Sequence, residues 1–194
     1  MKTFTFFSML VAAATMTFAQ QTVEPFTKIS ATGNIKVVLA NNDSHTISFN
    51  GSNEAPADVT YKISGGVLSV VATGNEEACI VKVTAPVVNE IDLKSVAELN
   101  TEGQFNAPQL KLTAEGATEY NMDLNCETLS LNLQGASEAD LKGNANTFIA
   151  QLQGASQVSA SELKTKSADI STEGASEIIL NVSETLKAKG SGAS

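Results

Sequence analysis

The chain has 194 residues, with 12 Lys and no Arg against 21 Asp plus Glu, for a formal net charge of −9. That excess of carboxylates speaks against nucleic acid and anionic membrane surfaces as partners, because both select clustered cations. One histidine, two tyrosines and no tryptophan leave no basis for a Ser-His-Asp arrangement, a histidine-rich metal site or an aromatic sugar platform.

Residues 1–19 read as a secretory signal peptide. Lys2 gives a positive start, an apolar run covers 4–18, and Thr17-Phe18-Ala19 offers a small-x-Ala cleavage site. The run is too short and too broken by Ser and Thr to span a bilayer, so an integral membrane protein is not expected. No cysteine follows the cleavage point to carry a lipid. The mature chain then begins at Gln20 and forms one domain, 20–194, exported to the periplasm or the outer cell surface.

Residues 20–88 have the texture of strands. Asn34-Ile35-Lys36-Val37-Val38-Leu39 alternates, Asn41-Asn42-Asp43-Ser44 turns, and residues 46–49 alternate again. Tyr61-Lys62-Ile63-Ser64 and Val67-Leu68-Ser69-Val70-Val71 flank Gly65-Gly66, which predicts a two-residue hairpin. Ile80-Val81-Lys82-Val83 is a further strand, stopped by Pro86. This half is expected to cap or continue the fold of residues 89–194 with hairpins; the alternative is a small separate sandwich.

Residues 89–194 repeat. Gly-Ala-Ser, or Gly-Ala-Thr in the first copy, stands at Gly116, Gly135, Gly154, Gly174 and Gly192, and Ser95-Val96-Ala97-Glu98-Leu99 is a degenerate earlier copy. Six, four and two residues before each glycine the positions are mostly apolar, as in Leu129, Leu131 and Leu133, with polar residues between them. Four and six residues after it apolar positions resume, as in Ala139 and Leu141. Each copy is a half-buried strand, a tight corner, a second strand and a polar return. About 20 residues is too few for a βαβ unit, so strands of successive copies must pair with one another. If every copy takes the corner alike, the ladders are parallel and equivalent residues stack. The expected fold is all-β, a right-handed parallel β-helix with rungs of 19–20 residues. Glycine supplies a positive φ at the bend. The Ala is expected on the tight inside of the corner, and the Thr118, Ser137, Ser156, Ser176 and Ser194 hydroxyls are expected to form a ladder along the coil axis and to their own backbone.

The last copy ends at Ser194 on a corner, which leaves its rung without a second strand and offers an edge through which a homo-oligomer could form. Cys79 and Cys126 are 47 residues apart, about two and a half turns. They should lie at different angles around the coil and too far apart along it for a disulfide, so both are read as buried free thiols.

The order Phe26-Thr27-Lys28-Ile29, Gly33-x-Ile35-x-Val37, Gly66-Val67-Leu68 and then repeated Leu-x-Leu-x-Leu-x-Gly-Ala-Ser resembles the putative auto-transporter adhesin "head GIN domain" family of exported bacterial proteins, common in Bacteroidetes. The resemblance covers nearly all of the mature chain. It implies a β-helical fold and suggests adhesion, and it carries over no catalytic residue. Two departures are Gly-Ala-Ser where relatives often carry Ser-Gly-Ser-Gly, and the missing strand after the last corner.

Parallel β-helices often act on polysaccharides. Acidic-sugar lyases hold their substrate with a strong cation, commonly arginine, which this chain lacks. Carboxylates are plentiful. Three residues after each corner glycine stand Glu119, Glu138, Gln157 and Glu177, with Glu98 in the degenerate copy. Stacked on one outer face they could bind a ligand, hold Ca²⁺ or pair as acid and base; the plain alternative is a solvated surface. No cofactor is implied. His45 is expected as an exposed turn residue, Tyr120 as core, and Glu76-Glu77 as a solvated loop. The reading is a non-enzymatic envelope or cell-surface module that binds a cell-envelope component, glycan or protein through stacked polar faces. The alternatives are a carbohydrate-active or glycan-binding protein using the glutamate column, and a structural spacer associating through its last rung.

Overall fold

The computed structural model describes residues 20–74 and 77–194; the signal-peptide reading of 1–19 and the expectation for Glu76 lie outside them. The described residues form fourteen strands and no helix, so none contains a helix long and apolar enough to cross a membrane. In chain order the strands are β1 (Gln21–Thr22), β2 (Lys28–Gly33), β3 (Ile35–Asn41), β4 (Thr46–Phe49), β5 (Val59–Ser64), β6 (Val67–Ala72) and β7 (Cys79–Ala85). They continue with β8 (Glu90–Ser95), β9 (Glu98–Asn106), β10 (Gln109–Gly116), β11 (Glu119–Gly135), β12 (Glu138–Gly154), β13 (Gln157–Gly174) and β14 (Glu177–Gly192).

From β8 onward every pairing is parallel, and like residues of the repeat lie side by side. The chain is a β-solenoid, as the constant period requires. β2 and β3 extend both stacks of the coil, pairing in parallel with β8 and β9. The corner column therefore starts earlier than the repeat announces: Gly33 pairs with Ser95, Ser95 with Gly116, and Gly116 with Gly135, through to Gly192. β6 and β7 add one more parallel layer, on β2 and β3 respectively, and beyond them the pattern changes. β5 and β6 form the expected antiparallel hairpin across Gly65-Gly66, while β4 lies antiparallel on β7 and carries β1. These strands close the N-terminal end of the coil. At the other end β14 pairs only with β13 among the described strands. Its inward residues Ile178, Leu180 and Val182 are half-buried, and Leu186 is exposed.

Alternation decides the interior. Ile29, Ile91, Leu112, Leu131, Ala150 and Ile170 form one stacked inward column, and all six are at most 3% exposed. Val37, Leu99, Tyr120, Ala139 and Val158 form another. Tyr120 is the largest fully buried side chain. Its hydroxyl donates to Thr113 O at 2.5 Å and lies 3.2 Å from Ile91 O, which satisfies the one polar atom it brings inside.

The corner corrects one expectation. The Ala of Gly-Ala-Ser points out, and Ala117, Ala136, Ala155 and Ala175 are exposed. The hydroxyl residue points in: Thr118, Ser137, Ser156 and Ser176 are each 2–3% exposed. Parity explains it, because Ser137 shares the odd phase of Leu133 and Ala139, and the bend does not shift that phase. Val96, in the alanine column, is 61% exposed, as an outside position allows. The hydroxyl ladder itself forms as expected. Thr118 Oγ1 donates to Ser137 Oγ at 3.1 Å, and Ser137 Oγ lies 3.2 Å from Gly116 O and 3.1 Å from its own Gln134 O.

Both cysteines are buried and unbridged. Burial raises the Cys79 thiol, with Asp58 adding to it. Burial pushes Cys126 up to about 11, with the Glu127 charge contributing. Neither thiol has thiolate character near neutral pH.

Candidate functional site

The outer face of the strand after the corner carries the residues singled out by the repeat. Glu98, Glu119, Glu138, Gln157 and Glu177 stand in direct register on β9, β11, β12, β13 and β14, with Lys36 of β3 next in line beyond Glu98. Successive strands lie about 4.8 Å apart, so the column is a continuous stack. Every member from Glu119 to Glu177 is exposed, and Glu98 is half-buried.

The column is anchored at its N-terminal end. Lys36 Nζ lies 2.7 Å from Glu98 Oε1. Burial pushes the Glu98 carboxyl up, but hydrogen bonds from Lys36 and Asn100, with the Lys36 charge behind them, outweigh it and hold the group below its usual range.

A second column, which the corner glycine alone does not single out, runs beside the first. Two residues on, and so on the same face, stand Asn100, Asn121, Asp140, Ser159 and Ile179, again in register. Asn100 Nδ2 donates to Glu98 Oε1 and Asn121 Nδ2 to Glu119 Oε1, each at 2.7 Å. A carboxylate only accepts, so these bonds set both amides with their carbonyl oxygens turned away from the glutamates. The sequence signal for this column is the polar residue five places after Gly116, Gly135 and Gly154, which Ile179 breaks after Gly174.

Past the second column the regular register breaks. Asn100 and Gln104 on β9 face Asn121 and Asp123 on β11, so β9 carries two extra residues there. Asp140 and Lys142 on β12 face Ser159 and Glu162 on β13, so β13 carries one. Between these bulges β11 and β12 pair residue for residue. The result is a groove of about 520 Å³ over the two regular strands, bordered by Thr101 and Gly103 at one end and by Ser161 and Glu162 at the other. Its floor exposes Asn121, Asp123, Asp140 and Lys142, with the edges of Met122 and Leu141 beneath. Gln104 Nε2 donates to Asp123 Oδ1 at 3.1 Å, and Lys142 Nζ lies 3.9 Å from Asp123 Oδ2. The sequence holds only an indirect signal of the groove: the spacings of 21 and 20 residues from Glu98 to Glu119 and from Gln157 to Glu177, against 19 between.

Among the described residues no group of three or more His, Cys, Asp or Glu side chains converges as a metal site would require. The glutamates lie side by side on an open face, a geometry unlike the converging oxygen cage that Ca²⁺ takes. His45 differs from its expectation. It is half-buried, with its ring edge-on to Phe26 at 4.8 Å between centroids and its Nδ1 3.5 Å from Phe26 N. It belongs to the packing of the N-terminal cap. Tyr61 packs on Phe49 in the same region, with ring centroids 5.1 Å apart.

Comparison with known proteins agrees with this architecture. The family described as "Putative auto-transporter adhesin, head GIN domain" matches residues 25–194. No curated protein matches the chain. Among solved structures, a putative adhesin from Bacteroides fragilis is similar with a TM-score of 0.77 and 19% identity, over 90% of this chain and 88% of that one. A putative adhesin from Parabacteroides merdae is similar with a TM-score of 0.58 and 17% identity, over 90% and 92%. A protein from Parabacteroides distasonis described as a putative lipid binding protein is similar with a TM-score of 0.60 and 10% identity, over 89% and 94%. At these identities the likeness is one of fold.

Proposed function

This chain belongs to the putative auto-transporter adhesin, head GIN domain family, and on that footing we propose that it is a non-enzymatic exported module that binds a cell-envelope partner through the outer face beyond the corner. The observation that carries the reading is the unbroken register of Glu98, Glu119, Glu138, Gln157 and Glu177 beside Asn100, Asn121 and Asp140. A parallel coil repeats one polar group at a fixed spacing on a rigid surface. Such a surface suits contact with an extended or repeating partner, because little side-chain or backbone order has to be bought on binding. Turnover is disfavoured by the same geometry. Hydrolysis of a glycosidic bond places two carboxylates on opposite sides of it, whereas these lie in one row on one face. Export is supported by the family and by the leader-like composition of residues 1–19.

The test is sedimentation of the mature protein with isolated envelope fragments of a Bacteroides species, beside the double variant Glu119→Gln/Glu138→Gln. Co-sedimentation that the variant loses, at an unchanged melting temperature, supports the reading. Equal sedimentation of both removes the column from the function.

A second reading, self-association, draws on β14, whose outer edge has no strand partner among the described residues and whose Leu186 is 55% exposed. A concentration-independent monomer mass in light scattering rules it out.

A further inference from the structure

We propose that the groove between the β9 and β13 bulges is a subsite for a short stretch of uncharged, hydroxyl-rich glycan. The proposal rests on the reading of this flank as the binding surface and names the chemistry of what it takes.

Shape comes first. The extra residues fall on the two outer strands of a four-strand patch, and the two strands between them have none. The flanks rise while the floor stays low. Two rungs span about 10 Å, which is the scale of one or two sugar rings, and the volume of about 520 Å³ is that of a small-ligand site. The Gly-Ala-Ser corner, by contrast, carries no inserted residue between the glycine and the glutamate column.

The lining comes second. Asn100 and Asn121 each give one amide proton to Glu98 or Glu119, so each offers its carbonyl oxygen and keeps a second amide proton. Asp140 on the floor has no hydrogen-bond or ion-pair partner among the described residues. Thr101 Oγ1 accepts from Asp123 N at 2.9 Å and keeps its own proton to donate. Ser159, Ser161 and Lys142 add donors. The groove thus presents acceptors in excess together with some donors. Vicinal hydroxyls, each both donor and acceptor, match that set. A uronate or sulfated sugar does not, because its anion would meet Asp123, Asp140 and Glu162 with only Lys142 as a local cation, and Lys142 already lies near Asp123.

The test is isothermal titration of the mature protein with neutral hexasaccharides (maltohexaose, cellohexaose and mannohexaose) and with hexagalacturonate, using the wild type, Asp140→Ala and the double variant Glu119→Gln/Glu138→Gln. We expect at least one neutral hexasaccharide to bind with a dissociation constant of about 1 mM or tighter. We expect hexagalacturonate to bind at least about tenfold more weakly, and Asp140→Ala to weaken the neutral sugar by about tenfold. Asp140 is exposed and makes no internal contact that folding needs, so the variant should melt like the wild type; Ser159→Ala is the second probe if it does not. The inference is overturned if no neutral sugar binds, if hexagalacturonate binds as well as the neutral sugars, or if neither groove variant changes affinity. Envelope binding lost only in the glutamate variant, with no neutral-sugar binding, would sink the groove and leave the wider reading standing. Loss of neither activity in the glutamate variant, with neutral sugar lost in Asp140→Ala, would sink the wider reading and keep the groove.

Discussion

Ser95 occupies the position of Gly116 in the next rung, paired with it Cα to Cα, and adopts a φ of +70° where Gly116 has +111°. A serine here is held in a left-handed conformation that costs an L residue about 1–2 kcal/mol. The neighbouring rungs impose it: Gly33 on one side and Gly116 on the other take the same bend. Ser95→Gly should therefore stabilise the fold, raising the melting temperature by about 2–4 °C in a chain of this size. The reverse change is severe. A Cβ added at Gly135 would stand 2.7 Å from Gly116 O with φ at +92°, so Gly135→Ala should cost at least about 1–3 kcal/mol in strain alone. Thermal melts of the two variants beside the wild type check both signs; a destabilised Ser95→Gly would contradict the account of the corner.

The inward hydroxyls make a second test. Ser137 links Thr118 of the preceding rung to the backbone of Gly116 and Gln134. Ser137→Ala keeps the volume nearly constant and removes that link. The carbonyl of Gly116 retains its bond from Ala136 N at 2.9 Å, but the buried Thr118 hydroxyl loses its acceptor, so the loss should be about 1–3 kcal/mol. Urea denaturation should show a lower midpoint with the slope unchanged. A neutral result would mean that the ladder contributes no stability.

Glu90 bridges two rungs, 2.7 Å from Lys28 Nζ and 2.9 Å from Lys111 Nζ. The hydrogen bond from Lys28 lowers its carboxyl most, and that from Lys111 adds to it, against a smaller rise from burial. A carboxyl depressed in the folded state contributes stability that is fully present above its unfolded value, about 4.3, and lost as pH falls through the folded value. Glu90→Gln should therefore melt below the wild type near neutral pH, and the difference should close as both are taken to about pH 2. A gap that persists undiminished in acid would assign the effect to packing instead.

The glutamate column was readable from the primary structure because it needs only one premise, that like residues of successive rungs lie side by side. Period, corner and register follow from that premise, and so does the inward stacking of Leu112, Leu131 and Ala150. The inside-out placement of Ala136 and Ser137 was also available, since Ser137 keeps the phase of Leu133 and Ala139. The expectation that the smallest residue takes the inside of the bend runs against that phase. His45 looked like a turn residue because nothing local to the Asn41-Asn42-Asp43-Ser44 turn shows that Phe26, 19 residues earlier in the chain, lies against it.

The chain alone determined the coil: alternation chooses the faces, the recurring glycine sets the bend, and backbone hydrogen bonds between identical rungs leave one register. Only the tertiary structure decided the flank of that coil. Whether an extra residue is absorbed within a strand or thrown outward depends on the strands above and below it. The bulges of β9 and β13 became walls because β11 and β12 between them pair without a break, a relation among four rungs that no single stretch of residues contains.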